Sequence, residues 1–175
     1  MDAVLDFWFS HSDRWWDKDP AFDAEIRDRF GALHAEIEAG EHEAWRATPR
    51  GALAYVIVLD QFSRNMFRDT PRMFASDRQA LGAAREALAR GDAQALGPDE
   101  RSFLYMPLMH SEDLADQERC VELFRELGNA YSLDFAEQHL AIIRRFGRFP
   151  HRNQILGRAS TPEEREFLTQ PNSSF

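Results

Sequence analysis

The sequence contains very little cysteine, very little lysine and no long apolar runs. Cys120 is its single cysteine, so no disulfide can form within the chain and a reducing compartment is favoured. No apolar run approaches the roughly 20 residues that a membrane-spanning helix needs. Asp2 and Asp6 flank the short Val4-Leu5 pair, where a signal peptide would have its apolar core. We therefore expect a cytoplasmic protein without a membrane partner.

Carboxylates are also absent from a long interval near the end of the chain. None lies between Glu137 and Glu163, although the formal net charge of the protein is −9. The arginines of that interval are Arg144, Arg145, Arg148, Arg152 and Arg158. An acidic chain is a poor ligand for nucleic acid, whereas a local basic patch suits a small anion. The alternative interpretation is that these arginines pair with carboxylates from elsewhere in the chain.

The spacing of apolar residues predicts helices throughout, and no segment shows the alternation typical of a strand. The predicted helices cover about residues 20–39, 49–67, 77–90, 99–109, 114–128 and 134–147, with short ones near both ends. Asp19-Pro20, Thr48-Pro49 and Ser160-Thr161-Pro162 are typical helix starts. Residues 1–175 are thus predicted to form a single all-α domain of antiparallel helical hairpins.

Two histidines and two tryptophans need a prediction of their own. His34 and His42 fall outside the apolar stripe of the helix at about 20–39, so we expect both in solvent. Trp15 and Trp16 are expected mainly to pack in the core. If their rings are exposed, they could support a homodimer.

Polar residues interrupt three segments that are otherwise apolar. Asp60, Gln61, Arg64 and Asn65 lie on the buried faces of the helix at about 49–67, where Asp60 and Arg64 are spaced to pair. The second segment is His110-Ser111-Glu112, which follows an apolar helix. The third segment is formed by the last long helix and the residues after it, with His139, Arg145, Arg148, His151, Arg152 and Asn153.

We hypothesise that the three segments converge on one polar pocket. His139, His110 and Asp60 are the candidate catalytic residues, because a histidine beside carboxylates can transfer protons near neutral pH. The candidate ligand-binding residues are Gln61, Arg64, Asn65, Glu112, Arg145, Arg148, His151, Arg152 and Asn153. Arginines among them can bind a carboxylate or phosphate through paired N–H groups. The alternative is a buried polar network that only holds helices together.

Three of the motifs also resemble those of a known family. Asp60–Asn65, Tyr105–Glu112 and Arg145–Asn153 are similar to signature motifs of the bacterial family called domain of unknown function 924. Val4–Phe9 and Leu156–Arg158 resemble that family too, so the similarity covers nearly the whole chain. The resemblance implies an all-helical, tetratricopeptide-like fold, a right-handed stack of helical hairpins. It implies no established activity.

Three functions therefore stay open, and whether the protein is an enzyme stays open with them. The first is binding of a small anionic molecule in the polar pocket, with or without catalysis. The second is binding of a peptide in the groove of a tetratricopeptide-like module. The third is a metal-dependent hydrolase, although no His-Glu-x-x-His helix is present and we assign no metal ligand. Gly147 and Gly157 do not form a phosphate-binding loop, and no cofactor is predicted.

Overall fold

The computed structural model describes residues 1–174, in which every regular element is a helix and no strand occurs. The α-helices of the described residues are α1 (Asp2–Ser10), α2 (Pro20–Glu38), α3 (Pro49–Ile57), α4 (Ser63–Met66), α5 (Asp77–Arg90), α6 (Pro98–Met109), α7 (Leu114–Leu127), α8 (Ala130–Phe146) and α9 (Pro162–Phe167). A π-helical segment, Val58–Phe62, joins α3 to α4 without a break. Short 3-10 turns occupy Ser12–Arg14, Glu43–Ala47, Pro71–Phe74, Asp92–Ala95 and Pro150–Arg152. The all-α prediction is confirmed.

The chain forms two compact units, and each is described by itself. Unit 1 comprises Met1–Pro107, and unit 2 begins at Leu108. The boundary falls within α6, which continues to Met109 although Pro107 lies inside it. A single domain over 1–175 stays a prediction. Within residues 1–174, no helix is both long enough and apolar enough to cross a bilayer.

Side-chain caps explain where two helices of unit 1 begin. The carboxylate of Asp19 accepts hydrogen bonds from the backbone N–H groups of Ala21 and Phe22, directly before Pro20 opens α2. The hydroxyl of Thr48 accepts one from the N–H of Gly51 at the start of α3. Because the first N–H groups of a helix have no intrahelical partner, such caps fix the starting residue.

Aromatic rings form the core of unit 1. Trp8 is fully buried and contacts Phe62 and Phe103 edge to face, with ring centroids 5.6 and 5.4 Å apart. Trp15 stacks on Trp8 and is partly buried. Trp16 is 58% exposed, so the prediction of core packing is wrong for this ring. A homodimer at this surface stays a prediction.

Unit 2 is built on the antiparallel pair of α7 and α8. Gly128 ends α7 with φ +75°, a backbone conformation that costs a residue with a side chain more than glycine. The side chain of Asn129 then caps α8 by accepting a hydrogen bond from Ser132 N. Beyond α8, the buried ring of Phe149 packs with Ile142 and Ile143. This packing brings the chain that follows Gly147 back against α8.

Candidate functional site

The polar residues of Asp60–Asn65 lie in unit 1, on the π-helical segment and α4. Nη1 of Arg64 lies 3.1 Å from Oδ1 of Asp60, which confirms the predicted pair. The same guanidinium donates to both carboxylate oxygens of Asp77, at 2.9 and 3.1 Å. Burial lowers the pKa of Arg64, but Asp60 and Asp77 outweigh it and raise that pKa above its ordinary value. Arg64 is therefore an ion-pair partner of two carboxylates.

The two amides of this segment also have partners within unit 1. Nε2 of Gln61 donates to Oδ2 of Asp60 at 2.5 Å. Nδ2 of Asn65 donates to Oδ1 of Asp23 at 2.7 Å, and Arg68 donates two hydrogen bonds to the same carboxylate. These contacts tie α4 to α2, so they support the alternative in which the polar residues hold helices together.

His34 is a buried residue of unit 1 whose contact with Ser63 the sequence did not predict. It is 1% exposed, so the prediction that it lies in solvent is wrong. Its Nε2 lies 2.7 Å from Oγ of Ser63, whose hydroxyl lies 2.8 Å from Oγ of Ser76. Ser76 in turn donates to the carbonyl of Leu59 in the π-helical segment at 2.7 Å. A signal was present, because His34 lies four residues after the buried Phe30 and so falls on the buried face of α2.

Carboxylates from outside the acid-free interval neutralise most of its arginines within unit 2. Arg145 pairs with Glu163 at 2.9 Å, and Arg144 pairs with Glu118 at 2.9 Å. Arg148 forms two hydrogen bonds with the carboxylate of Glu164, at 2.6 and 2.8 Å. These ion pairs agree with the alternative interpretation, in which the arginines of the acid-free interval pair with carboxylates from elsewhere in the chain. The pairs with Glu163 and Glu164 are not evident from the sequence, because they form only when α9 folds back beside the end of α8.

Glu112 and Arg158 make a second bidentate pair in unit 2. Both carboxylate oxygens of Glu112 accept from the Arg158 guanidinium, at 2.8 and 2.9 Å. Glu112 also accepts from the N–H of Phe149 at 2.8 Å, and Arg158 donates to the carbonyl of Phe149 at 3.0 Å. Asn153 is 1% exposed and accepts from Nε of Arg158. The pair thus fixes the backbone of Phe149 from both sides.

A shallow surface depression of about 450 Å³ lies between the end of α8 and the start of α9. Its lining residues are Arg145, Phe146, Arg148, Thr161, Glu163 and Glu164. Both of its arginines are paired with its two glutamates. The depression therefore carries no excess of positive charge for an anion.

Three of the predicted site residues surround the ring of Phe149. The ring centroids of His139 and His151 lie 5.4 and 5.6 Å from its centroid, and Cζ of Arg152 lies 4.5 Å from it. His110 joins them, because its charge lowers the pKa of both other histidines. We call Phe149, His110, His139, His151 and Arg152 the Phe149 cluster. Unit 2 thus brings together four residues that the sequence predicted.

The imidazoles of His139 and His151 in the Phe149 cluster are neutral at pH 7. Burial lowers the pKa of His139 to about 3, and the charge of Arg152 adds to that effect. Burial and Arg152 likewise lower the pKa of His151 to about 4. Nδ1 of His139 lies 2.8 Å from the carbonyl oxygen of Phe135. Such a neutral imidazole can accept a hydrogen bond, but a pKa this far below 7 makes it a weak base for proton transfer near neutral pH.

A group of side chains that could bind a metal ion lies in unit 1, away from the Phe149 cluster residues of unit 2 in the sequence. Within the described part of the chain, Glu36, Glu41 and His42 bring their ligand atoms within 4.8 Å of one another. They lie at the end of α2, and Nε2 of His42 is already 2.8 Å from Glu36. His110, Glu112 and His139 are not members of that group.

The comparisons with known proteins agree with the motifs. The sequence model described as bacterial protein of unknown function (DUF924) matches residues 4–172. The chain belongs to this family. A solved structure, that of the protein of unknown function ATU0120 from Agrobacterium tumefaciens, is 45% identical and superposes with a TM-score of 0.92. The similarity covers 95% of each chain. No match is found among the curated proteins.

For this DUF924 member, the comparisons support the predicted family and leave the site residues as predictions. The three polar segments divide between the two units. Asp60–Asn65 lies in unit 1, whereas His110–Glu112 and His139–Asn153 lie in unit 2. Contacts through Glu112 and Phe149 join the latter two segments. Convergence of all three segments stays a prediction.

Proposed function

We propose that the Phe149 cluster binds a small anionic molecule. The observation that carries the proposal is the buried guanidinium of Arg152 among imidazoles. Burial lowers the pKa of His139 and His151 most, and the positive charge of Arg152 adds to that effect. Against the effect of burial, Arg158 lowers the pKa of Glu112, and Arg152 adds to that effect too, so the positive potential of Arg152 reaches all three groups. An anion placed there would be stabilised by the same potential, and low local polarity would strengthen the attraction.

Three of the arginines that the sequence suggested for ligand binding are already held in ion pairs. Arg64, Arg145 and Arg148 each have carboxylate partners at 2.6 to 3.1 Å. An anion would have to displace those carboxylates before it could bind there. Arg152 is 7% exposed, and the imidazoles of His139 and His151 are neutral at pH 7. We choose Arg152 for the anion contact because it lies against the Phe149 ring beside these imidazoles.

Thermal unfolding in the presence of an anion panel tests the proposal. The panel contains phosphate, sulfate and small mono- and dicarboxylates, each against chloride at equal ionic strength. An anion that binds the folded protein raises the unfolding temperature with its concentration. We expect Arg152→Gln to abolish that rise, because the variant keeps a polar side chain without the charge. Arg144→Gln is the matched control, since Arg144 is an exposed arginine of α8.

Two results would overturn the proposal. One is that no anion of the panel raises the unfolding temperature of the wild-type protein beyond the chloride value. The other is a rise that Arg152→Gln and Arg144→Gln reduce equally.

A peptide-binding module is the second candidate function, and one observation favours it. The antiparallel pair of α7 and α8 is the kind of hairpin from which tetratricopeptide-like stacks are built. We therefore retain the right-handed hairpin stack as a proposal, with a peptide in its groove. The support for this candidate is an analogy between folds.

We also propose that the protein works in the cytoplasm. The support is its single cysteine, Cys120, which is fully buried. Burial raises the pKa of its thiol, so the thiol stays protonated and poorly reactive.

A further inference from the structure

Glu36, Glu41 and His42 meet at the end of α2 because of the way in which that helix ends. Gly40 has φ +88°, which turns the chain back on the helix, and its N–H donates to the carbonyl of Ile37 at 3.0 Å. The N–H of Glu41 donates to the carbonyl of Glu36 at 2.9 Å. These two hydrogen bonds are a Schellman motif. The motif places Glu41 and His42 beside the last turn of α2.

The donor atoms of these three side chains have the spacing of a metal site. One atom from each residue lies within 4.8 Å of the other two, and Nε2 of His42 is 2.8 Å from Oε2 of Glu36. Two ligands of one zinc ion lie roughly 3–3.5 Å apart, because each bond is about 2.0–2.2 Å long. Both glutamates are exposed, so rotation of their carboxylates closes the difference. The imidazole packs against Trp45, with ring centroids 5.1 Å apart.

The charges around this group favour a cation. The carbonyl end of a helix carries partial negative charge, which a positive charge stabilises. The last turn of α2 contains no basic residue, whereas Glu36 and Glu38 lie within it. Among the described residues, the carboxylate of Glu41 has no ion pair or side-chain hydrogen bond. A divalent ion would therefore neutralise charge that the chain leaves unbalanced.

The histidine decides which class of ion fits. Mg²⁺ and Ca²⁺ take oxygen ligands, whereas an imidazole suits zinc and other transition metals. Zinc also has no electronic preference for one geometry, so it accepts one nitrogen and two carboxylate ligands at an exposed position. We propose that Glu36, Glu41 and His42 bind a divalent transition-metal ion, with zinc as the preferred ion and water completing its coordination.

This metal site is independent of the anion site proposed above. It lies in unit 1 and shares no residue with the Phe149 cluster, whose members lie in unit 2. The three ligands belong to a short stretch of chain that ends where the turn Glu43–Ala47 begins. A bound ion would fasten that turn to the end of α2. Zinc should therefore also raise the unfolding temperature of the protein, because it binds the folded cap.

Calorimetric titration of the full chain with zinc chloride tests the proposal. The protein carries no histidine tag, and the titration is repeated with magnesium chloride and calcium chloride. We expect one zinc ion to bind per chain and no binding of magnesium or calcium at the same concentrations. Excess magnesium should leave the zinc affinity unchanged, because magnesium does not compete for an imidazole.

Three variants locate the ion. We expect His42→Ala and Glu41→Gln each to weaken zinc binding by at least about tenfold, the scale on which the loss of a supporting residue alone weakens a metal site. Glu38→Gln is the matched control, because Glu38 lies in the same turn of α2 and is not a member of the group. Its zinc affinity should equal that of the wild-type protein.

Two results of these titrations would overturn the proposal. One is that the wild-type protein binds no zinc, or binds zinc only until excess magnesium displaces it. The other is that His42→Ala, Glu41→Gln and Glu38→Gln bind zinc as tightly as one another, which would show an adventitious ion only.

Nitrogen NMR tests the site in the wild-type protein. Zinc should move the ¹⁵N signal of Nε2 of His42 and leave the signals of the other histidines in place. The spectrum of His42→Ala identifies the signal, since that variant lacks it. An Nε2 signal that stays unchanged while zinc binds would place the ion elsewhere and overturn the assignment.

Discussion

Glu164 and Arg148 form a bidentate ion pair that ties α9 to the chain after α8. Both carboxylate oxygens of Glu164 accept from the guanidinium, at 2.6 and 2.8 Å. Glu164 also accepts from the N–H of Thr161 and completes the capping box of α9. One carboxylate therefore both starts a helix and holds that helix in place. The arginine that the sequence suggested as a ligand contact is part of the fold.

Low pH should destabilise the folded protein, because it protonates Glu164 and so breaks the ion pair with Arg148. The hydrogen bonds from Arg148 lower the pKa of Glu164 to about 2, from an ordinary value of 4.5. A depressed carboxylate pKa stabilises the folded state fully above about pH 4.5, and that stability is lost as the pH falls towards 2. We expect the free energy of unfolding of the wild-type protein to fall more steeply over this range than that of Glu164→Gln. Urea unfolding at successive pH values measures the difference.

Glu163 provides the control for this prediction. Its pair with Arg145 is exposed, with the glutamate side chain 61% accessible. We expect Glu163→Gln to change the free energy of unfolding at pH 7 by less than about 1 kcal/mol, and Glu164→Gln to cost more. Parallel pH curves for the wild-type protein and Glu164→Gln would contradict the role of Glu164.

His139 should make the protein less stable in mild acid. Its pKa is about 3 when folded, whereas an unfolded histidine has an ordinary pKa of 6.5. Below about pH 6.5 the unfolded state therefore binds a proton at His139 that the folded state does not bind. The free energy of unfolding consequently falls as the pH falls. Between pH 7 and pH 5 this proton costs about 2 kcal/mol. Replacement by asparagine removes the titrating group and should flatten the pH dependence by that amount.

Chemical denaturation of the wild-type protein and His139→Asn over this pH range checks the prediction. His151, with a pKa of about 4, acts in the same direction and leaves part of the slope in the variant. An identical slope in the two proteins would show that His139 titrates normally in the folded state.

Gly51 should not tolerate a side chain. A Cβ atom at this position would lie 2.0 Å from the carbonyl oxygen of Trp45 and 2.7 Å from Oγ1 of Thr48. The carbonyl belongs to the backbone and cannot rotate away, so the start of α3 would have to move. We expect Gly51→Ala to lower the free energy of unfolding by roughly 1–3 kcal/mol, measured by urea denaturation.

Gly82 is the matched control within a helix. It lies inside α5, and an added Cβ would meet nothing within 4 Å. Alanine loses less conformational freedom than glycine in a helix, so Gly82→Ala should stabilise by roughly 0.5–1 kcal/mol. Equal effects of the two substitutions would contradict the steric explanation for Gly51.

The helices were largely predictable because their signals are local. Pro20, Pro49 and Pro162 each open a helix behind a side-chain cap, as the sequence indicated. The last long helix begins at Ala130, four residues before the predicted start, because Asn129 caps it. The π-helical turn at Val58–Phe62 had no signal in the spacing of apolar residues. Part of its packing comes from Ser76, which hydrogen-bonds Leu59 from a distant segment.

The candidate site was predictable in its residue types and less so in its contacts. The sequence singled out His139, His151 and Arg152, and the structure places them around one ring. The sequence could not indicate that this ring is Phe149. Nor could it indicate that Glu112, 37 residues earlier, accepts a hydrogen bond from the backbone N–H of Phe149. Such contacts depend on which surfaces meet, and no local pattern records that.

The sequence by itself determined an all-helical chain of the DUF924 family, because helix caps, apolar spacing and motifs are properties of neighbouring residues. Only the tertiary structure decided which charges are neutralised. It paired Arg148 with Glu164 and Arg158 with Glu112, and it placed Arg152 among buried imidazoles. The physical reason is that electrostatic energy depends on distance and burial, which the folded chain sets between residues far apart in sequence.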